Sequence, residues 1–372
     1  MKYQTINPSN GELLKSYTPA TGREIEAMLV RAEKSFVAFR QLPLKARMDL
    51  LERAADVLEQ KSVELAGLMA LEMGKPLKQG EAEAKKCATA CRYFARHAAE
   101  FLGNEQFKTD ASEAFVAFEP IGTILAIMPW NFPFWQFFRF AAPTLALGNT
   151  ILLKHAPNTP QCSLAISDVM LEAGFAPGVV QSIFLTNGNV SKVLQDYRIS
   201  GVTLTGSSEA GSKVASDAGK NLKRMVLELG GSDPFIVLED ADLKETARVA
   251  AQARCQNSGQ SCIAAKRFLV QRGIEKEFTD LFIAEMTAMK VGDPLDDDTI
   301  IGPLARKDLR AHLQRQVNDS LKAGAHRLVG GKIPEGKGYF YPPTVLSNIV
   351  QGTAAWKDEL FGPVAAIIAF GT

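Results

Sequence analysis

The sequence predicts an α/β protein made of two doubly wound domains with a β-hairpin. Two observations carry that reading. From Gly122 onward, short and continuously apolar runs alternate with stretches of helical spacing. Continuous rather than alternating apolarity marks strands covered on both faces, as in a parallel sheet between two helical layers. The same alternation starts afresh near Asp233, after Gly230-Gly231, and 372 residues are enough for two separate cores.

In chain order, apolar residues recur every three or four positions among charges over Thr21–Arg40, Lys45–Glu72 and Gln79–Phe101, which predicts three amphipathic helices. Phe107–Phe118 changes to an alternating, β-rich pattern ending at Pro120 and reads as a strand or hairpin. Gly122–Met128, Thr150–Lys154, Val179–Leu185, Gly201–Thr205 and Met225–Leu229 read as buried strands, with helices at Phe138–Leu147, Cys162–Ala173 and Ala210–Gly219 between them. In the second set, strands fall at Pro234–Leu238, Arg267–Gln271, just after Pro342-Pro343, and at Val364–Phe370. Its helices are Leu243–Gln256, Lys276–Met289 and Lys307–Gly324.

Charge excludes several partners. Lysine and arginine total 42 against 41 acidic residues, a formal net charge of +1, so no strong field draws the chain to nucleic acid or an anionic membrane. The first residues, 1–17, are polar and lack the apolar run of a secretory signal, and no stretch is apolar enough to span a bilayer. Five cysteines, an odd and scattered set, argue against a disulfide framework and for a reducing, cytoplasmic setting. Four distant histidines and the lack of CxxC or HExxH spacing leave no metal site to expect, and Cys87 with Cys91 reads as helix packing.

Three short segments can carry chemistry. Asn257-Ser258-Gly259-Gln260-Ser261-Cys262 is a small turn that lets a sulfur and a backbone N–H face one ligand atom, as attack on a carbonyl requires. Read alone, it also suits a structural cysteine. Pro129-Trp130-Asn131-Phe132-Pro133 follows an apolar strand and holds an amide that can donate to an oxyanion, or can simply close a turn. Glu228-Leu229-Gly230-Gly231 ends another strand with a carboxylate that is either a base in a cleft or a solvated loop residue.

The three segments in this order resemble the aldehyde dehydrogenase superfamily along essentially the whole chain, most closely its bacterial succinate-semialdehyde dehydrogenases. The resemblance implies the aldehyde-dehydrogenase-like fold. Residues 1–101 and 121–231 would form the dinucleotide-binding domain, 102–120 an oligomerisation hairpin, and 232–372 the catalytic domain. It implies Cys262 as nucleophile, Asn131 with the Cys262 N–H as oxyanion donors, and Glu228 as the base that hydrolyses a thioester. Because Glu228 is present, transfer of the acyl group to coenzyme A is not expected.

For the cofactor, NAD or NADP, the resemblance implies Lys154 at the adenosine ribose, Ser207 in Gly206-Ser207-Ser208-Glu209-Ala210-Gly211 at the diphosphate, and Glu359 and Phe361 near the nicotinamide ribose. Trp130, Gly206, Gly211 and Leu229 complete the implied cofactor set. A glutamate usual in NAD-preferring members falls at Pro157, which removes a group that repels a 2′-phosphate and keeps NADP open.

For the substrate, Arg139 matches a position that binds the carboxylate of succinate semialdehyde, with Gln136 one turn away. A second arginine of those enzymes is Gln256 here, and Arg139 paired with a nearby acid of the fold is the alternative. Family members continue beyond Phe361-Gly362-Pro363, so the catalytic domain is expected to be C-terminally incomplete, and a homodimer or homotetramer weaker than the family's. A non-catalytic relative that still binds cofactor or a partner is the second reading of that length.

Overall fold

A computed structural model of the chain describes residues 2–371. Two short strands, β1 (Tyr3–Ile6) and β2 (Leu13–Tyr17), pair with each other and precede four helices: α1 (Gly22–Phe39), α2 (Leu44–Gln60), α3 (Ser62–Met73) and α4 (Leu77–Phe101). Thr21 opens α1 with a capping box, its hydroxyl accepting from Glu24 N while Glu24 Oε2 accepts from Thr21 N at 2.7 Å. The single helix expected over Lys45–Glu72 is two, because the backbone leaves helical geometry at Lys61 (φ −94°, ψ 8°). The apolar spacing runs in phase across that break, from Leu51, Ala55 and Leu58 to Leu65, Ala66 and Met69, so periodicity alone reads one helix. The hairpin is present as β3 (Glu105–Gln106) and β4 (Phe115–Val116), an antiparallel pair.

The chain divides into two compact units: Met1–Thr5, Lys15–Leu65 and Glu81–Leu229, and then Ile6–Leu14, Ala66–Gly80 and Gly230–Thr372. Where the sequence reading puts 1–101 wholly in the first domain, residues 6–14 and 66–80 thus go with the second unit. Backbone bonds from Tyr339 N to Pro8 O (2.8 Å) and from Leu77 N to Pro294 O (2.9 Å) fasten them there.

The first unit holds β5 (Thr123–Met128), α5 (Trp135–Leu147), β6 (Thr150–His155), α6 (Pro160–Glu172), β7 (Val180–Ser182), α7 (Asn187–Gln195), β8 (Ile199–Thr205), α8 (Ser208–Lys220) and β9 (Arg224–Glu228). The five strands of this sheet are all parallel in the order β7-β6-β5-β8-β9. Leu125, Leu152, Val202 and Leu204 meet α7 and α8 through Val190, Val193, Val214 and Ala218. Helix α7 is absent from the sequence reading, since Asn187-Gly188-Asn189 has the composition of a turn; Thr186 starts it by accepting from Asn189 N at 3.3 Å.

The second unit holds β10 (Pro234–Val237), α9 (Leu243–Cys255), β11 (Arg267–Gln271), α10 (Glu275–Ala288), α11 (Lys307–Lys322), β12 (His326–Val329), β13 (Thr344–Ser347), α12 (Ala354–Lys357) and β14 (Val364–Phe370). The order is β10-β11-β14-β13-β12, with only β12 antiparallel. Strand β14 alternates faces: Ala365 and Ile367 join Phe268, Phe278 and Phe282 under α9 and α10, while Val364 and Ala366 join Leu313 and Val317 under α11. Each fully buried phenylalanine of that first layer contributes about 2–3 kcal/mol of apolar burial. Helices on both faces make this sheet doubly wound.

Candidate active site

In a parallel sheet, ligands gather beyond the carboxyl ends of the strands, where the strand order turns back. In the first unit β6 and β8 flank β5 on opposite sides, and the expected residues sit at those ends. Asn131 follows β5, Lys154 is next to last in β6, Gly206 and Ser207 follow β8, and Glu228 ends β9 with Leu229 directly after it.

Asn131 is 5% exposed in the turn between β5 and α5. Two buried residues that sequence reasoning did not single out fix that turn. Helix α5 has no side-chain cap of its own, and Glu83 from α4 supplies one: its Oε1 accepts from Phe134 N (3.0 Å) and Trp135 N (2.9 Å). From the end of β6, His155 Nε2 lies 3.0 Å from the Pro133 carbonyl. His155 Nδ1 accepts from Ala156 N at 2.9 Å, so the ring proton is on Nε2 and is donated to Pro133. Complete burial pushes this histidine down to about 4, which keeps it neutral.

A cavity of about 330 Å³ lies beside the ends of β6 and β8, lined by Lys154, Asn187, Ser191, Ser207, Lys213 and Asp217 among others. Lys154 is 7% exposed, and burial pushes its ammonium down to about 8. Ser207 caps the 13-residue helix α8, its hydroxyl accepting from Ala210 N at 3.3 Å. A buried cation, hydroxyls and a helix N-terminus around one cavity fit the adenosine and phosphate groups of a dinucleotide. Gly211 leaves room for Leu229: a Cβ there would come within 2.5 Å of Leu229 Cδ2. Gly206 N donates to Glu228 O at 3.0 Å, which locks the Glu228 backbone to the start of the α8 turn. Trp130 is partly buried.

Arg139, on α5, donates through NH2 to Thr205 Oγ1 at 3.2 Å and lies 3.6 Å from Glu228 Oε2, with side-chain exposures of 30% and 57% for the two charged groups. The expected carboxylate anchor and the expected base are thus paired with each other. Gln136 is 2% exposed, and its Oε1 has no hydrogen-bond partner.

In the second unit the expected residues lie instead at the amino ends of the strands. Cys262 precedes β11, Glu359 and Phe361 precede β14, and Gly230-Gly231 precedes β10. Parallel pairing of β10 with β11 and of β11 with β14 sets those ends side by side. The turn before Cys262 is unusual: Asn257 and Ser258 both have φ 55° and Gly259 φ 74°, three successive left-handed residues. The surroundings over-determine it. Asn257 N donates to Gln79 Oε1 (2.7 Å), Gly302 N to Ser258 Oγ (2.9 Å), Ala305 N to Gln260 Oε1 (2.9 Å), and Arg254 NH2 to Gly259 O (2.6 Å).

Cys262 is partly exposed, whereas the other four thiols are buried, and burial pushes Cys91 and Cys255 up to about 12. The fully buried Lys266 donates to Cys262 O (2.8 Å) and Ala264 O (3.1 Å) and lies 3.5 Å from Glu359 Oε1. Glu359 also accepts from Gly231 N; burial raises its pKa and the lysine opposes that rise. Lys266 is a residue that no local pattern announces. Among the described residues no group of three or more His, Cys, Asp or Glu could hold a metal ion, and no helix is long and apolar enough to cross a membrane.

The model of the aldehyde dehydrogenase family matches residues 1–372. The chain is 49% identical over 365 residues to a probable succinate-semialdehyde dehydrogenase (NADP+) of Synechocystis sp., covering 98% of this chain and 80% of the relative. It is 47% identical to a succinate-semialdehyde dehydrogenase (NADP+) of Mycobacterium avium, covering 99% and 79%. Among solved structures, the succinic semialdehyde dehydrogenase of Streptococcus pyogenes in complex with NADP+ superposes with a TM-score of 0.97 at 34% identity, covering all of this chain and 82% of that one. The chain belongs to the aldehyde dehydrogenase family, enzymes that use NAD or NADP to oxidise an aldehyde to a carboxylic acid.

Proposed function

We propose that the chain oxidises succinate semialdehyde to succinate with NADP, with Cys262 as nucleophile. Arg139 carries the substrate assignment: it is a half-buried guanidinium beside Glu228, and a fixed guanidinium is well matched to a substrate carboxylate. The succinate-semialdehyde relatives support the same choice.

Lys154, Ser207, Glu359 and Phe361, with Trp130, Gly206, Gly211 and Leu229, would hold the cofactor, whose oxidised nicotinamide would supply the hydride acceptor. The chain's own residues do the rest. The Cys262 thiolate adds to the aldehyde carbon, and the alkoxide that develops is held by the Asn131 amide and the Cys262 N–H. After oxidation the substrate is a thioester on Cys262. Glu228 takes a proton from water, the hydroxide adds to the acyl carbon, and the C–S bond breaks as the thiol recovers. Two points favour NADP over NAD: by the resemblance Pro157 stands where NAD-preferring members carry a ribose-binding carboxylate, and Lys154 and Lys213 line the cavity, beside Glu209 and Asp217.

The test is reduced-nicotinamide formation from succinate semialdehyde and from butanal, each with NAD and NADP, beside Cys262→Ala. Preference for the semialdehyde with NADP, lost in the variant, supports the proposal. A folded chain with no turnover decides instead for a non-catalytic relative. We also propose a reducing, cytoplasmic setting, and a homodimer paired through the 102–120 hairpin, whose Phe107, Phe115 and Val116 are exposed. Sedimentation as a monomer that Phe107→Glu leaves unchanged would count against the pairing.

A further inference from the structure

We propose that Arg139 holds Glu228 in reserve, and that a substrate carboxylate, by taking Arg139, releases Glu228 to hydrolyse the thioester. The inference rests on the reading of Cys262 and Glu228 given above and adds a coupling to it: the group that selects the substrate also switches on the second half of the reaction.

Arg139 NH2 sits between two acceptors, Thr205 Oγ1 at 3.2 Å and Glu228 Oε2 at 3.6 Å. Thr205 keeps the guanidinium located when the glutamate leaves. The Glu228 backbone is fixed, since its carbonyl accepts from Gly206 N at 3.0 Å. Its side chain is 57% exposed and is free to swing. Only side-chain rotation is therefore needed to move Oε2 from the guanidinium to a water. The exchange is also favourable. A long, half-exposed ion pair is weakly held, while an incoming carboxylate can take a guanidinium with two parallel charge-assisted bonds. An oxygen turned toward Arg139 is not turned toward the water it must deprotonate. An aldehyde without a carboxylate leaves the pair in place, so its thioester forms but is hydrolysed slowly.

In the hydrolysis step, Glu228 accepts one proton from water, the hydroxide oxygen bonds to the acyl carbon, the C–S bond breaks, and the proton returns to the sulfur. No oxidant enters, so the step can be isolated from hydride transfer. Acyl-enzymes made without cofactor, from p-nitrophenyl butanoate and mono-p-nitrophenyl succinate, give a burst of nitrophenolate and then a slow phase set by hydrolysis.

In the unaltered chain the succinyl enzyme should hydrolyse at least tenfold faster than the butanoyl enzyme. Arg139→Gln should speed butanoyl hydrolysis severalfold and abolish the succinyl advantage, a gain that mere structural damage does not produce. Butanoyl hydrolysis no faster in Arg139→Gln than in the unaltered chain overturns the proposal. Failure of the substrate reading is distinct: oxidation would then run as well with butanal as with the semialdehyde, while the butanoyl comparison still reports on the pair. A second measurement needs neither turnover nor a folded Arg139 variant. In crystals of Cys262→Ala soaked with succinate, Arg139 should hold a succinate carboxylate and its separation from Glu228 should exceed ion-pair distance. A pair that remains intact under succinate overturns the proposal.

Discussion

His155 Nε2 lies 3.0 Å from the carbonyl oxygen of Pro133, so a histidine at the end of β6 fixes the turn that carries Asn131 at the end of β5. The neutral ring is needed at Nδ1, which accepts from Ala156 N at 2.9 Å, and burial supplies it by holding the folded-state pKa at about 4. The unfolded chain titrates at about 6.5. Between those values the unfolded state binds a proton that the folded state refuses, so stability falls as pH drops and is constant above about 7. From pH 7.5 to pH 5 the loss is about 2 kcal/mol. Urea midpoints at the two pH values should differ accordingly, and His155→Leu should remove most of that difference while lowering stability at pH 7.5. An equal pH dependence in the variant would assign it to other groups.

The strands with sharp ends were the most legible: Arg267–Gln271 and Val364–Phe370 are read to the residue because charged or turn-forming neighbours bound an apolar run. The Lys61 break and α7 were not legible, the first because apolar spacing continues in phase through it, the second because Asn and Gly dominate its first turn. The segments around Asn131, Glu228 and Cys262 stand out because each packs its chemistry into four to six neighbouring residues. Glu83 and His155 act on the Asn131 turn from 51 and 22 residues away in sequence, and no local pattern encodes a partner at that distance. The sequence reading kept a nearby acid as the alternative partner of Arg139 but not which acid, because α5 and β9 meet only once the sheet has formed.

Gly259 has φ 74°, and a Cβ built on it would come within 2.2 Å of the Gly362 carbonyl carbon, a backbone atom that cannot turn aside. Gly259→Ala therefore meets both conformational strain and a clash, and should cost about 2–4 kcal/mol by denaturant unfolding. Gly273→Ala is the control. Nothing lies within 4 Å of its Cβ and its φ is not positive, so a change below about 0.5 kcal/mol is expected. Equal effects at the two glycines would contradict the argument.

Cys262 and Glu228 should separate kinetically. On the proposed mechanism Cys262→Ala removes the nucleophile, so neither a burst of reduced nicotinamide nor turnover should remain. Glu228→Gln keeps the thiol and loses the base, so a stoichiometric burst should persist while steady-state turnover falls about a hundredfold or more. Loss of the burst in Glu228→Gln would mean that the carboxylate acts before the thioester forms, and stopped-flow absorbance at 340 nm, the ordinary band of reduced nicotinamide, distinguishes the cases.

Lys154 is a buried cation lining the cavity beside β6 and β8, proposed above to take the adenosine end of the cofactor, and burial pushes its ammonium down to about 8. Binding a 2′-phosphate requires the charged form, because a neutral amine offers the phosphate little and leaves the cavity with weaker attraction. The dissociation constant for NADP, followed by quenching of tryptophan fluorescence, should therefore be flat between about pH 7, where the 2′-phosphate is largely dianionic, and about pH 8, and rise above that by at most tenfold per pH unit. NAD, which lacks the 2′-phosphate, should show a shallower rise. Pro157→Glu restores a carboxylate near the ribose and places a negative charge where the 2′-phosphate would lie. NADP affinity should fall about tenfold or more while NAD affinity holds or improves. The backbone at this position is already committed, with the Pro157 carbonyl accepting from Gln4 N at 3.0 Å, so the substitution changes charge more than path. If both cofactors weaken together in Pro157→Glu, the effect is on the fold of the loop and residue 157 does not set the preference.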